Sequence, residues 1–142
     1  MELTKEQKIK IEKIGKKFDL KLMVLYGSYA KGTPRKESDL DIAILGKGPI
    51  DFETEMKIYS DLADIFGDNE NKELDLVNLE KKDPLFLYQI AKNSRLLYGD
   101  LTDYNEFRAF AFKNYFDSND IFQLEKKLVL KYQDYLNKTY VR

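Results

Sequence analysis

The first pattern along the chain is helical. Isolated aliphatic residues recur among charged ones at intervals of three or four, and Thr4 and Gln7 have the spacing of a capping box. The pattern predicts a helix from about Lys5 to Lys17. Its apolar face carries Ile11, Ile14 and Phe18.

Three short apolar runs then predict β-strands. The first, Lys21–Tyr26, stops at Gly27, and the second, Ser38–Leu45, stops at a glycine-rich segment. The third, Glu73–Leu79, alternates polar and apolar residues as a half-buried strand does. A single helical turn fits between the first two strands, after Gly27.

The remaining segments read mainly as helices. A helix is predicted to begin after Asp51 and to end at Gly67, and a second one covers 84–94, because Asp83 can cap the free amides and proline fits the first helical position. The following "RLLYG" is a brief extended piece. Thr102 and Ser118 are candidate caps of two further helices. The apolar stripe of the first of these four helices is predicted to hold Phe52, Met56, Tyr59, Ala63 and Phe66, and that of the last to hold Ile121, Leu124, Leu128, Tyr132 and Tyr135.

This order of elements predicts an α/β or α+β fold, a small mixed sheet flanked by helices with a C-terminal helical extension. No internal repeat or low-complexity linker divides the chain. We therefore expect one domain over residues 1–142, with a core over about 1–100 and C-terminal helices over about 102–139.

Composition narrows the chemistry. Of 142 residues none is cysteine and none is histidine, so acid–base or metal chemistry must use carboxylates. The formal charge of -1 provides no general attraction for nucleic acid, and no direct nucleic-acid binding is expected. No apolar stretch approaches the ~20 residues that span a bilayer, so we expect a soluble, cytoplasmic protein without membrane contact.

Carboxylates stand where the strand pattern predicts burial. Asp39 and Asp41 are two residues apart, so in an extended strand both project from one face. Two such charges ~4 Å apart repel by about 4 kcal/mol at a surface-like dielectric. Asp75 repeats the pattern in the third strand. If that strand lies beside the second, the three carboxylates converge, and their oxygen ligands suit Mg²⁺.

Gly27 and Ser28 suggest an anion site facing these carboxylates. A glycine lets the backbone approach a phosphate closely, and the serine hydroxyl and nearby amides can bind phosphate oxygens. Alone, the glycine–serine pair would be an ordinary turn and the aspartates a solvated strand end; their combination favours a site. Three cations of the connecting loop could contact phosphates or simply face water: Lys31, Arg35 and Lys36.

The stretch "GSYAKGTPRKESDLDIAI" resembles the nucleotidyltransferase signature of the DNA polymerase β superfamily, in which Gly-Ser is followed after ten residues by Asp-x-Asp. It is similar in particular to the minimal nucleotidyltransferases, whose Gly-Ser-x-Ala-(Arg/Lys)-Gly pattern is matched by Gly27, Ser28, Ala30, Lys31 and Gly32. The resemblance covers residues 27–45 and extends loosely to Asp75. It implies a polymerase β-like nucleotidyltransferase fold.

The resemblance also implies roles and a partner. Asp39 and Asp41 would bind two Mg²⁺ ions that carry ATP, Gly27 and Ser28 would hold its β- and γ-phosphates, and Asp75 would bind metal and accept a proton. Such proteins resemble the antitoxins of HEPN–MNT pairs, which move AMP onto a tyrosine of a HEPN ribonuclease toxin. Two alternatives stay open: transfer to a small molecule such as an aminoglycoside, and a non-catalytic antitoxin that masks its toxin. Aromatic residues of the C-terminal helices either pack internally or dock a partner.

Overall fold

The computed structural model describes residues 2–32, 39–69, 72–80 and 82–140. Five helices and four strands alternate along these residues. They are α1 (Lys5–Lys17), β1 (Leu20–Tyr26), α2 (Ser28–Lys31), β2 (Leu40–Gly46), α3 (Phe52–Phe66), β3 (Leu74–Asn78), α4 (Pro84–Lys92), β4 (Ser94–Gly99) and α5 (Leu101–Tyr140). None of the helices in the described part of the chain combines the length and hydropathy that a membrane span requires.

The four strands form one mixed sheet in the order β3-β2-β1-β4. β1 runs antiparallel to both of its neighbours, whereas β2 and β3 are parallel. As a result, the end of β1 lies beside the beginnings of the other three strands. We call this end of the sheet the acidic end. It is formed by Tyr26, Gly27 and the first residues of β2 and β3.

Helices cover both faces of the sheet, and each face has its own core. Side chains alternate between the two faces along every strand. One face packs against α1 and α3 through residues such as Met23, Ile42, Ile14 and Ile58. The other face packs against α4 and the first half of α5 through residues such as Val24, Ala43, Ile90, Phe107 and Ala111. This three-layer arrangement confirms the predicted mixed sheet flanked by helices.

Several local predictions are confirmed. The first helix spans Lys5–Lys17, and Thr4 and Gln7 form the capping box. The Asp51 carboxylate accepts a hydrogen bond from the Thr54 amide at 2.7 Å, and that of Asp83 accepts one from the Phe86 amide at 3.0 Å. Strands appear at each predicted run, although β2 begins at Leu40 and the predicted start at Ser38 lies outside the described residues.

Two predictions about the helices between residues 51 and 94 were wrong in detail. The buried face of α3 is formed by Ile58 and Leu62, whereas Phe52 and Met56 of the predicted stripe are exposed. The fourth helix ends at Lys92. Ser94 instead begins β4, which is a full member of the sheet because it pairs with β1 along its length.

The two helices predicted after residue 102 are one helix of 40 residues. The Asp100 carboxylate, rather than the Thr102 side chain, accepts a hydrogen bond from the backbone at the start, at 2.7 Å from the Thr102 amide. No glycine or proline interrupts the segment, so the capping potential of Ser118 is overridden by helix continuation. The predicted apolar face of the last part is exposed; it comprises Ile121, Leu124, Leu128, Tyr132 and Tyr135.

Candidate active site

Two of the predicted carboxylates meet directly at the acidic end. Asp41 of β2 is the register partner of Asp75 in the parallel strand β3 and of Tyr26 in the antiparallel strand β1. Neighbouring strands lie about 4.8 Å apart, so these three side chains stand in one row. Strand alternation places them on the face of Ala43, the face that α4 and α5 cover. The predicted convergence of Asp41 and Asp75 is therefore found.

The electrostatics show how closely these groups interact. Burial, followed by the charges of Asp75 and Asp39, raises the pKa of Asp41 from 3.8 to about 6. The pKa of Tyr26 is also raised, first by burial and then by the charges of Asp75 and Asp41. Like charges are thus gathered at the acidic end, and the Tyr26 hydroxyl keeps its proton as a hydrogen-bond donor.

Tyr26 is the site residue that sequence reasoning missed. The apolar pattern places it only at the end of a strand. One feature of the sequence points to it: Tyr26 directly precedes Gly27. A residue that ends a strand just before a glycine turn lies at the end of the sheet, where sites are often found. That signal does not reveal its partner, because the pairing of Tyr26 with Asp41 depends on the strand register.

Gly27 is required by the geometry of the site. Its φ is +74°, and a Cβ built there would lie impossibly close to Oδ2 of Asp41. The chain then enters the single helical turn α2 at Ser28 and leaves it at Gly32, whose backbone adopts the left-handed conformation. The absence of a side chain at Gly27 is what allows the turn to approach the Asp41 carboxylate.

Contacts from the other face hold the beginning of β3 in place. The Asp68 carboxylate accepts a hydrogen bond from the Leu74 amide at 3.1 Å and another from the Tyr59 hydroxyl. The Lys72 ammonium lies over the ring of Tyr29 in α2, 4.9 Å from its centroid. The Asp68 hydrogen bonds tie the start of β3 to α3, and the contact of Lys72 with Tyr29 links α2 to the segment just before β3.

Two further predicted residues, Asp39 and Lys31, lie at the rim of the acidic end. Asp39 was predicted to lie within the second strand, but it lies just before β2 and is exposed. Its charge nevertheless contributes to the raised pKa of Asp41. Lys31 is exposed at the end of α2, where its amide donates to the Gly27 carbonyl at 3.2 Å. Arg35 and Lys36, the other candidate phosphate contacts, lie outside the described residues.

The carboxylate oxygens of the acidic end are the kind of ligand that Mg²⁺ prefers. Among the described residues, no three side chains form a finished metal-binding cluster. Mg²⁺ does not require one, since proteins usually bind it through one or two carboxylates, with water and substrate phosphates completing the octahedron. Asp41 and Asp75 supply adjacent carboxylates, and their mutual repulsion is what a divalent cation would relieve.

Fold and site together define a nucleotidyltransferase, and the sequence agrees. Residues 8–103 match the family described as "Polymerase beta, Nucleotidyltransferase". The chain therefore belongs to this family, as the signature around Gly27 and Asp41 predicted. The matched segment runs from α1 to the start of α5 and contains every described residue of the acidic end.

Particular relatives share this fold. The protein adenylyltransferase MntA of Shewanella oneidensis is 30% identical over 84 residues, which cover 59% of this chain and 58% of that relative. A chain of a toxin–antitoxin crystal structure with AMP-PNP superimposes with a TM-score of 0.65 at 25% identity, covering 87% of this chain and 95% of that one. A chain from the complex of the tri-AMPylated Shewanella oneidensis HEPN toxin with MNT antitoxin superimposes with a TM-score of 0.62 at 21% identity. The superposition covers 91% of this chain and 97% of that one.

Proposed function

We propose that this protein transfers AMP from ATP to a protein hydroxyl in a magnesium-dependent reaction, and that the acceptor is a tyrosine of a HEPN ribonuclease toxin that it neutralises. The pairing of Asp41 with Asp75 beside Gly27 is the observation that carries this proposal. It combines acidic metal ligands and a close-approach glycine, and the similarity to an adenylyltransferase and to antitoxin complexes supports the nucleotide and the partner.

The carboxylates of the acidic end and the residues around it have separate roles in this proposal. Asp39, Asp41 and Asp75 would hold magnesium, which when bound neutralises charge on the triphosphate and makes pyrophosphate a better leaving group. The Gly27 backbone and the Ser28 hydroxyl would hold the β- and γ-phosphates, with Lys31 at the rim as a further phosphate contact. Because little covalent work falls to the protein, positioning and charge account for most of the catalysis.

Asp75 is the proposed base. The acceptor oxygen attacks the α-phosphorus, a new phosphorus–oxygen bond forms, and the bond to the bridging oxygen of pyrophosphate breaks. Asp75 takes the hydroxyl proton as this happens. It suits the role because its carboxylate is exposed and therefore accessible to an incoming acceptor. Tyr26, which keeps its proton, can donate a hydrogen bond to Asp41 or to a phosphate oxygen, but cannot act as base.

The proposal is tested by labelling. The purified protein is incubated with α-labelled ATP, Mg²⁺ and a HEPN protein taken from a neighbouring gene of the same genome. We expect label on a tyrosine of that protein. The Asp39→Asn/Asp41→Asn double variant should transfer no label to the partner. Its circular dichroism spectrum should match that of the wild type, because asparagine has the same shape as the exposed Asp39 and the half-buried Asp41 that it replaces.

The two other functions give different results in the same assay. Full labelling by the double variant would falsify the catalytic assignment. If the double variant transfers no label but still neutralises the toxin, the protein is an antitoxin that masks its toxin sterically. Label on an aminoglycoside, with none on the protein partner, would replace the acceptor while keeping the transferase chemistry.

A further inference from the structure

A cavity adjoins the acidic end on the face of the sheet that α4 and α5 cover. It has a volume of about 470 Å³, within the range of small-molecule sites. Tyr26, Gly27 and Lys31 form one wall, and the exposed side of α4 forms the other. Since Gly27 belongs to both places, a nucleotide whose phosphates lie at the acidic end has room to extend its nucleoside into this cavity.

Aromatic rings form a firm apolar part of the α4 wall. The ring of Phe86 meets that of Tyr26 edge-on, with centroids 6.4 Å apart. The ring of Tyr88 stacks on that of Tyr115 from α5, with centroids 4.1 Å apart and planes 12° apart. Rings held in this way make a preorganised wall, which suits a flat heterocycle better than a flexible chain.

Contacts with α5 also fix the end of α4. The Arg108 side chain donates from Nε to the Ala91 carbonyl at 3.0 Å. The Tyr104 hydroxyl donates to the Ser94 carbonyl at 3.0 Å. The residues between these two anchors are held at the acidic end, because Ser94 is the register partner of Tyr26. The backbone on both sides of position 93 is therefore anchored beside the acidic end.

Two amide side chains line the same wall. Gln89 and Asn93 both border the cavity and stand four residues apart, so they lie on one side of α4 and its C-cap. An amide can accept a hydrogen bond from adenine N6 and donate one to N7. Guanine presents the O6 acceptor in place of the N6 donor, which would leave the amide oxygen facing another oxygen.

We propose that this cavity binds the nucleobase of the triphosphate and that Gln89 and Asn93 select adenine over guanine. The inference rests on the proposed function for the placement of the phosphates. It adds the base preference of the same site, which the acidic end cannot determine, because phosphates and magnesium are common to all nucleoside triphosphates.

Calorimetric titration of the full chain with Mg²⁺ and either ATP or GTP tests the inference without any acceptor protein. The variants are Gln89→Ala and Asn93→Ala, singly and together. Gln133→Ala is the matched control, because Gln133 is exposed in the far half of α5, away from the cavity. We expect the wild type and the control to prefer ATP. The double variant should bind ATP about tenfold more weakly and GTP unchanged, since one amide–adenine pair gives roughly 5- to 150-fold discrimination.

Other results would overturn the inference. An unchanged ATP preference in the double variant, or an absent preference in the wild type, contradicts it while leaving the transferase proposal intact. Unchanged nucleotide affinities with weaker labelling of the partner would assign the cavity to the acceptor instead. If the wild type binds no nucleotide with Mg²⁺, the proposed function fails together with the inference. Gln89→Ala should leave the fold intact, because Gln89 is exposed and lies in a helix, where alanine is favoured.

Discussion

The two ends of the sheet hold their aspartates in opposite electrostatic surroundings. At the acidic end, Asp41 faces Asp75 and Tyr26 across neighbouring strands, and its pKa is raised. At the far end, the exposed Asp19 precedes β1 and forms an ion pair with Lys47, with 3.4 Å between Oδ1 of Asp19 and Nζ of Lys47. The Lys47 amide also donates to the Asp19 carbonyl at 3.1 Å. We call this far end the paired end.

The comparison separates functional residues from structural ones. The paired end places opposite charges together in water, where an ion pair contributes little to stability. The acidic end places like charges together in a partly buried row, which the fold alone does not require. Such an arrangement lowers the stability of the free protein and is typical of a site that a cation and an anionic substrate complete.

The largest expected difference between the ends is in activity. Asp41→Asn should lower the rate of AMP transfer by about 10²- to 10³-fold, as loss of a charge that stabilises the transition state does. Asp19→Asn at the paired end should leave the rate unchanged. Both rates are measured by partner labelling under identical conditions. Comparable losses in the two variants would erase the functional distinction between the ends.

Glycine substitutions should sharpen the contrast in stability. Gly27→Ala forces a Cβ against the Asp41 carboxylate at a positive φ, so we expect a loss of about 1–3 kcal/mol in unfolding free energy, together with activity. Gly48→Ala, near the paired end, meets no atom within 4 Å and should change stability by less than about 0.5 kcal/mol. Denaturant titrations of both variants provide the values. A tolerated Gly27→Ala would show that the turn does not approach Asp41.

The carboxylate of Asp41 should destabilise the free protein at neutral pH. Its pKa is about 6 in the folded state against an ordinary 3.8, so between these values the folded protein binds more protons than the unfolded one. Stability from this group is present below about pH 4 and is lost as the pH rises through 6. Asp41→Asn should therefore raise the unfolding free energy at pH 7 by about 1 kcal/mol, a value reduced to allow for solvent screening.

Thermal unfolding at pH 5 and pH 7, in the absence of Mg²⁺ and nucleotide, measures this effect. The wild type should lose more stability between the two pH values than Asp41→Asn does. Parallel pH profiles of the two proteins would mean that Asp41 is not crowded by its neighbours.

The smallest effect is expected at the paired end. Lys47→Ala removes an exposed ion pair and should lower the unfolding free energy by less than about 0.5 kcal/mol. The difference should shrink further at 1 M salt, where charges are screened beyond about 3 Å. A loss above 1 kcal/mol that salt does not reduce would give the paired end a structural role that the comparison denies.

Sequence reasoning located the central carboxylates because strand alternation is a local property. The period of two placed Asp75 on one face of its strand, and the position of Asp41 in an apolar run marked it as unusual. Their contact depends on β2 and β3 being neighbours, which no local pattern in the sequence determines. The role of Tyr26 could not be foreseen, since register between distant strands sets it.

The helices show the same limit. Two faces of α3 satisfy helical spacing, and the core of the sheet selected Ile58 and Leu62 over Met56. In α5, Ser118 is a good cap in isolation, but a continuous helix satisfies the same backbone groups. Local signals thus located most helix ends, whereas packing decided which faces are buried and which caps are used.

The most direct test of the acidic end is the thermal stability of wild type and Asp41→Asn with Mg²⁺ and ATP. A ligand at about 100 times its dissociation constant adds about 2.7 kcal/mol to the unfolding free energy. We predict a clear rise in Tm for the wild type that requires both Mg²⁺ and ATP, and little or no rise for Asp41→Asn. An equal rise in the two proteins, or none in the wild type at millimolar Mg-ATP, would contradict the account.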